Sequence, residues 1–314
     1  MTAPATLVPR SEHPAPQAVS PAGRRLRRRR SLTNHLLVAP ALLLSALIVV
    51  VPGALTAYAA FTDWNGSGFP KPFVGLRNFT AILDDPVFAT ALGNNIKWLV
   101  LFLTLPAVIG LLTAWLLLRR RRTRTFYQVV YLMPYVLAPV VNALVWLNII
   151  YNPDGGLISA LDAMGLHLTS PLSSLNGALY AAAAVDMWHY WGFLTVVYFG
   201  AMRQTPVDQV EAAIVDGAGS WQVFRHVYLP SIRPTLLLMG VMTVIFSFLA
   251  FDYVYLLTQG GPAHSSEVMG TYAYAFAFSA FEFGKASAVG LIMSFFGLIA
   301  SCVYTWMSRR QLES

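Results

Sequence analysis

VEAAIVDGAGSWQVFRHVYLP, residues 210–230, lies between two long apolar runs, yet it carries Glu211, Asp216, Arg225 and His226 among several small residues. It reads as a nearly soluble helical hairpin held between membrane segments. Just ahead of it, Thr205-Pro206-Val207-Asp208 has the chemistry of a helix start. Thr205 is placed as N-cap, Pro206 at the first helical position and Asp208 near the positive end of the helix dipole. The helix is expected to run to about Asp216, where Gly217 stands ready for a left-handed C-terminal cap. Ser220 then caps a second short helix, Trp221–Tyr228, which Pro230 stops. Val207, Val210 and Ile214 recur at helical spacing on the first helix, and Trp221, Phe224, Val227 and Tyr228 on the second. Ala212, Ala213, Gly217, Ala218 and Gly219 would let another backbone approach closely. Two readings follow: a docking element that seats in a partner's groove, or a loop whose helices fold back on the membrane surface.

Outward from the hairpin the chain is a membrane sequence. Of its 314 residues 56% are hydrophobic and 11% charged, against roughly 25% charged in an average soluble domain. Apolar runs cover about Leu36–Ala60, Trp98–Leu118, Phe126–Ile150, Ala178–Met202, Leu236–Leu257 and Ala286–Met307. Each has the ~20 residues needed to cross a bilayer core. The expected fold is therefore an all-α membrane protein with six transmembrane helices. With the N-terminus inside, 17 of the 21 Lys and Arg fall on cytoplasmic segments, leaving Lys71, Arg77, Lys97 and Lys285 outside. Cytoplasmic flanks accumulate basic residues, so both termini and the hairpin are assigned to the cytoplasm.

Topology also accounts for the net charge of +7. The run GRRLRRRR, residues 23–30, stands directly before the first span and reads as an orientation signal rather than a nucleic-acid patch. The first apolar run is longer than the ~7–15 residues of a signal-peptide core, so it is read as a retained helix. Residues 1–30, rich in Pro, Ala, Ser and Arg, read as a disordered basic tail. The six-helix region spans 31–308, with the hairpin loop at 203–233, and 309–314 is a short cytoplasmic end. The outside loop Phe61–Asn95 is rich in turn formers, with a short helix expected around LRNFTAILDD. YAYAFAFSAFEFG, 272–284, is read as an interfacial helix rather than a strand, since an isolated strand there would have no partner. Pro106, Pro134 and Pro139 are expected as kinks within spans.

The hairpin carries a specific signature. Glu211-Ala212-Ala213, three residues, Gly217, nine residues, Val227, one residue and Leu229-Pro230 resembles the E-A-A loop of permease subunits of binding-protein-dependent ABC importers, with Val where Ile is usual. GLRNFTAIL (75–83), LMPYVLAPVVNALVWLNIIYNPDGGLI (132–158), MWHYWGF (187–193), residues 204–234 and residues 257–290 are similar to the sugar-permease branch, the maltose and glycerol-3-phosphate permease type. The resemblance covers about residues 35–308. It implies a type I ABC importer permease in a bacterial plasma membrane. Its partners would be a second homologous permease, two ATP-binding subunits and an extracytoplasmic solute-binding protein, with a carbohydrate as substrate and no nucleic acid. It further implies that Glu211, Ala212, Ala213, Asp216, Gly217, Phe224, Leu229 and Pro230 form the coupling element, with Glu211 paired to a basic group of the ATPase and Gly217 giving the sharp turn. A polyol or glycerol phosphate is the alternative cargo; a secondary transporter or an intramembrane hydrolase is the alternative class.

No cofactor is expected on this chain, and ATP and Mg belong to the partner ATPase. A P-loop needs G-x-x-x-x-G-K-[ST]. At Gly284-Lys285 the first glycine position holds Ser279 and the hydroxyl position Ala286. The six His show no metal-ligand spacing, and NGSGF lacks the nucleophile-elbow pattern. Cys302, the one cysteine, reads as a packing residue.

Asp186 and Asp252 are acids within apolar runs, each costing roughly 2.5–3.5 kcal/mol at a helix centre, so each should face a cavity or a partner. Asp186 stands with Trp188, His189 and Tyr190, aromatic and hydrogen-bonding groups suited to a sugar; the other reading pairs it with His189. Asp252, beside Tyr255, is read as more structural. Asn142, Trp146 and Asn148 are weaker candidates for the path, Trp146 serving equally as an interfacial anchor.

Overall fold

The computed structural model describes residues 38–312 apart from 71, 121, 167 and 168, so the basic tail expected over 1–30 lies outside the described residues. Two compact units divide at Leu55. The first is represented by most of helix α1 (Val38–Ala59), whose side chains from Leu42 to Leu55 are all exposed. A helix apolar on every side needs lipid or another protein around it.

The second unit begins with α2 (Arg77–Leu83), the short helix expected around LRNFTAILDD, and α3 (Pro86–Leu118). Then come α4 (Arg124–Val136), α5 (Pro139–Ile150) and α6 (Ala178–Met202), followed by the hairpin, α7 (Val207–Val215) and α8 (Ser220–Ser231). Helices α9 (Arg233–Phe248), α10 (Asp252–Leu257), α11 (Met269–Tyr274) and α12 (Phe283–Leu312) complete it. A π-helical turn, Ala275–Ser279, prolongs α11, so the alternating aromatic stretch is helical as expected. Among the described residues the only β pairing is an isolated bridge, Thr62 to Phe73.

By length and apolarity α1, α3 and α12 qualify as membrane spans, and up to five qualify if each of two bent pairs is one span. The six expected runs differ in kind. The run at 126–150 is two helices meeting at 97° rather than one kinked span. Pro139 causes the break: its ring pushes the preceding residue out of the helical region, and Leu137 (ψ 141°) and Ala138 (ψ 142°) are extended. The carbonyl of Pro134 loses its helical partner there, and the buried Asn142 amide donates to it at 2.9 Å. Pro106, by contrast, is accommodated inside α3 without a break. The second bend, 70°, lies between α8 and α9. The expected fifth run also stops early: α9 ends at Phe248, and Asp252 opens a separate helix.

The 25-residue α6 matches the fourth expected run at both ends, but it is not among the apolar spans. Asp186, His189 and its Tyr and Trp residues lower the mean hydropathy of its centre. It is instead the interior element, with Val185, Leu194, Tyr198, Phe199 and Met202 buried. Glycines let its neighbours close in. A Cβ on Gly192 would collide with the Tyr131 carbonyl of α4, and one on Gly110 of α3 would lie 3.0 Å from Leu194 Cβ. Beside Gly110, Thr113 and Thr195 share a hydroxyl hydrogen bond of 2.7 Å.

The expected outside loop Phe61–Asn95 is shorter than read, because α3 starts at Pro86. Asp85 caps it, accepting from the Val87 amide at 2.9 Å. Its first turns hold two fully buried amides. Asn94 donates to the carbonyls of Ser265 (2.9 Å) and Glu267 (2.8 Å). Asn95 donates to Ser247 in α9 (2.6 Å) and accepts from the Met269 amide at the start of α11 (2.7 Å).

Candidate functional site

Two regions concentrate the functional side chains. The first is a cavity of about 230 Å³ lined by residues of α3, α6 and the broken α4/α5 and α9/α10 segments. Asp186, His189 and Tyr190 reach it from α6, spaced at three and four residues so that one helix face presents them together. Asp252 joins from the first position of α10, beside Phe251 and Tyr253. The helix breaks make this possible: a continuous fifth span would have put Asp252 within a helix, whereas the interruption at Leu249–Phe251 places it at a helix start.

Between Asp186 and His189 the closest approach is 3.8 Å, at the outer limit of an ion pair. Pairing with His189 is therefore loose and leaves the carboxylate able to accept elsewhere. Tyr190 and Thr243 share a hydroxyl hydrogen bond of 3.3 Å, and Thr243 donates to the Met239 carbonyl at 2.8 Å. Trp98, Phe102, Tyr135 and Phe246 supply aromatic walls. Trp98 and Phe102 stack nearly parallel, 8° between planes.

The other residues singled out from sequence stand apart from this cavity. Trp188 meets Trp146 edge-on, 5.7 Å between centroids. Tyr255 donates to the Tyr274 hydroxyl at 3.3 Å. Asn142 holds the α4/α5 break and also touches the Tyr253 hydroxyl at 3.3 Å, so it acts one layer behind the lining. Sequence reading passed over Trp98, Phe102 and Thr243, and named Tyr253 only as a neighbour of Asp252. In a chain with 8 Trp, 14 Tyr and 19 Phe, nothing local distinguishes a cavity wall from a packed aromatic. Among the described residues no group of three or more His, Cys, Asp or Glu is placed to hold a metal ion.

The second region is the hairpin. Its first helix is capped by Pro206, not Thr205. Proline's preference for extended ψ before a helix serves here, and the freed Thr205 hydroxyl donates to Ser231 at 3.1 Å, closing the base of the hairpin. Gly217 has φ +83°, and the amides of Gly217 and Ala218 donate to the carbonyls of Ile214 (3.0 Å) and Ala213 (2.9 Å). That is the Schellman cap expected at this glycine. The second helix begins one residue earlier than read, with Gly219 as N-cap and its amide bound to the Gln222 side chain at 2.7 Å. It also runs through Pro230 to Ser231, because Pro230 falls in the first turn of its last segment, where no N–H is required.

Phe224 and Val223 are buried and root the hairpin. Phe224 lies 5.1 Å from Trp115 near the end of α3, and the Arg119 guanidinium lies over that indole at 4.3 Å. Leu229 and Pro230 are half-buried. The first helix has no buried residue: Val207 is 65% exposed, Ile214 58% and Val215 86%, and Trp221 across the turn is 52% exposed. Glu211, Ala212, Asp216 and Gly217 are exposed and Ala213 is half-buried. Glu211 makes no ion pair among the described residues. These aliphatic groups do not pack against the chain's own spans.

Comparison with known proteins places residues 106–313 within the model of the binding-protein-dependent transport system inner membrane component family. A probable ABC transporter permease of Pyrococcus horikoshii is 30% identical, covering 88% of this chain and 96% of its own. The probable starch degradation products transport system permease AmyD of Thermoanaerobacterium thermosulfurigenes is also 30% identical, covering 88% and 94%. Among solved structures, a bacterial ABC transporter involved in import of the acidic polysaccharide alginate contains a chain of the same fold. It aligns at TM-score 0.80 over 91% of this chain and 99% of its own, with 22% identity.

Proposed function

The chain belongs to the binding-protein-dependent transport system inner membrane components, and from that premise we propose that it moves a carbohydrate through the cavity between its broken helices, driven through the 203–233 hairpin. It is a multi-pass inner membrane protein and the permease subunit of an ABC importer, not itself an enzyme; the family carries no cofactor and its ATPase is a separate protein.

The observation that carries the coupling part is the outward apolar face of α7. Val207, Ile214, Val215 and Trp221 form an exposed patch beside Glu211, which has no ion pair among the described residues, on a hairpin rooted through Phe224 and Trp115. Such a patch marks an interaction surface. Its partner is the ATPase, with a basic group against Glu211. Closure of an ATPase dimer on ATP then displaces the hairpin, and α6 and α9, which flank it, carry the movement to the cavity.

The carbohydrate part rests on aromatic walls with hydroxyl, imidazole and carboxylate groups between them, and on a relative named for transport of starch degradation products. Such walls suit the C–H faces and hydroxyls of a sugar. The working assembly comprises this chain, a second homologous permease, two ATPase subunits and a solute-binding protein. Both termini and the hairpin are cytoplasmic, as the distribution of basic residues supports. Gentle purification of the tagged chain from its native membrane tests the assembly: an ATPase and a second permease should come with it. A chain that purifies alone and still transports would overturn the proposal.

A further inference from the structure

We propose that the cavity selects by charge, accepting a sugar ring that is neutral or carries an amine and rejecting one that carries a carboxylate. This rests on the carbohydrate reading above and narrows it. The cavity's volume of about 230 Å³ lies below the roughly 300–1,000 Å³ of pockets that enclose a drug-sized ligand. It therefore grips a short piece of a glycan, where the charge of a single ring matters. Its lining holds two carboxylates, Asp186 and Asp252, one imidazole, His189, and no lysine or arginine. Even a protonated imidazole leaves that wall without excess positive charge.

Charges around such a site interact several-fold more strongly than in water. A ring carboxylate would enter beside two carboxyl groups with no fixed cation on this chain to receive it. Hydroxyls, by contrast, donate to the aspartates, and an ammonium group both donates and relieves the repulsion between them. A second observation points to a ligand here. Tyr253 lines the cavity and is 4% exposed, and its hydroxyl accepts from Asn142 at 3.3 Å. Its own proton meets no acceptor among the described residues, which leaves the hydroxyl free to donate.

The detergent-purified complex of permeases and ATPase, with the binding protein left out so that its own selectivity does not enter, is incubated with an oligosaccharide library. The library holds neutral, amine-bearing and uronate-bearing members of equal length, and retained species are read by native mass spectrometry. Neutral and amine-bearing members should be retained, and uronates at least tenfold less. In the Asp186→Asn/Asp252→Asn double variant the depletion should shrink to under threefold. Uronates retained as well as neutral members by the wild-type complex would overturn the charge selection while leaving the carbohydrate reading intact. If the complex retains no glycan of any class, the carbohydrate reading falls and this inference with it. Should the double variant fail to assemble, Asp252→Asn alone, at an exposed helix start, supplies the comparison.

Discussion

Asn95 shows how much a single polar residue can hold in a membrane interior. Its amide joins α3 to the Ser247 carbonyl in α9 and to the Met269 amide at the start of α11. Asn95→Leu strands both partners, each costing about 1–3 kcal/mol when buried without a replacement. The expected outcome is a clear fall in the thermal midpoint of the detergent-solubilised chain; an unchanged midpoint would contradict the role given to the amide. Tyr253→Phe keeps the ring and removes only the hydroxyl. It should weaken glycan binding several-fold without lowering the amount of protein in the membrane, as titration of the purified complex would show. Of the cavity lining, Asp186, His189, Tyr190 and Asp252 were singled out in sequence. A charge inside an apolar run is conspicuous because of its insertion cost, whereas Tyr253 looks like any other tyrosine until the fold sets it beside His189, 5.8 Å between rings.

At the scale of elements, the hairpin depends on one backbone conformation. With φ +83° at Gly217, an alanine there costs about 1–2 kcal/mol and strains the cap that sets the angle between α7 and α8. Gly217→Ala and Glu211→Ala should each cut uptake by tenfold or more while membrane levels stay constant, measured as transport per unit of protein on immunoblots. Normal uptake in both would remove the hairpin from the coupling path. Gly192→Leu addresses the α4/α6 contact, where a side chain would meet the Tyr131 carbonyl. It should prevent recovery of folded protein. The hairpin's existence, its glycine cap and its signature were readable in sequence because they rest on local chemistry. Its capping residues were not. Thr205 and Ser220 are good N-caps in isolation, but Thr205 is taken by Ser231 from the far side of the hairpin.

For the whole molecule, the proposed topology puts the hairpin on the cytoplasmic side. In a Cys302→Ser background, which removes the single cysteine, Ser220→Cys should react with an impermeant thiol reagent in inside-out vesicles and resist it in intact cells. Labelling in intact cells would invert the topology. Family membership sets aside the secondary-transporter and intramembrane-hydrolase alternatives. The choice between a sugar and a polyol rests on the cavity and on the glycan-binding experiment.

The amino-acid sequence by itself determined that this is an all-helical membrane chain, and that a helical hairpin with a left-handed glycine lies between two of its apolar runs. These follow from hydropathy and short-range backbone preferences, which act within a few residues. Tertiary structure decided which spans are whole and which are broken, that α6 is the interior helix, and that Asp186 and Asp252, far apart in the chain, line one cavity. Proline can announce a break, yet Pro106 and Pro139 look alike in sequence; only the surrounding packing, with Asn142 ready to receive the Pro134 carbonyl, lets one helix break and the other continue.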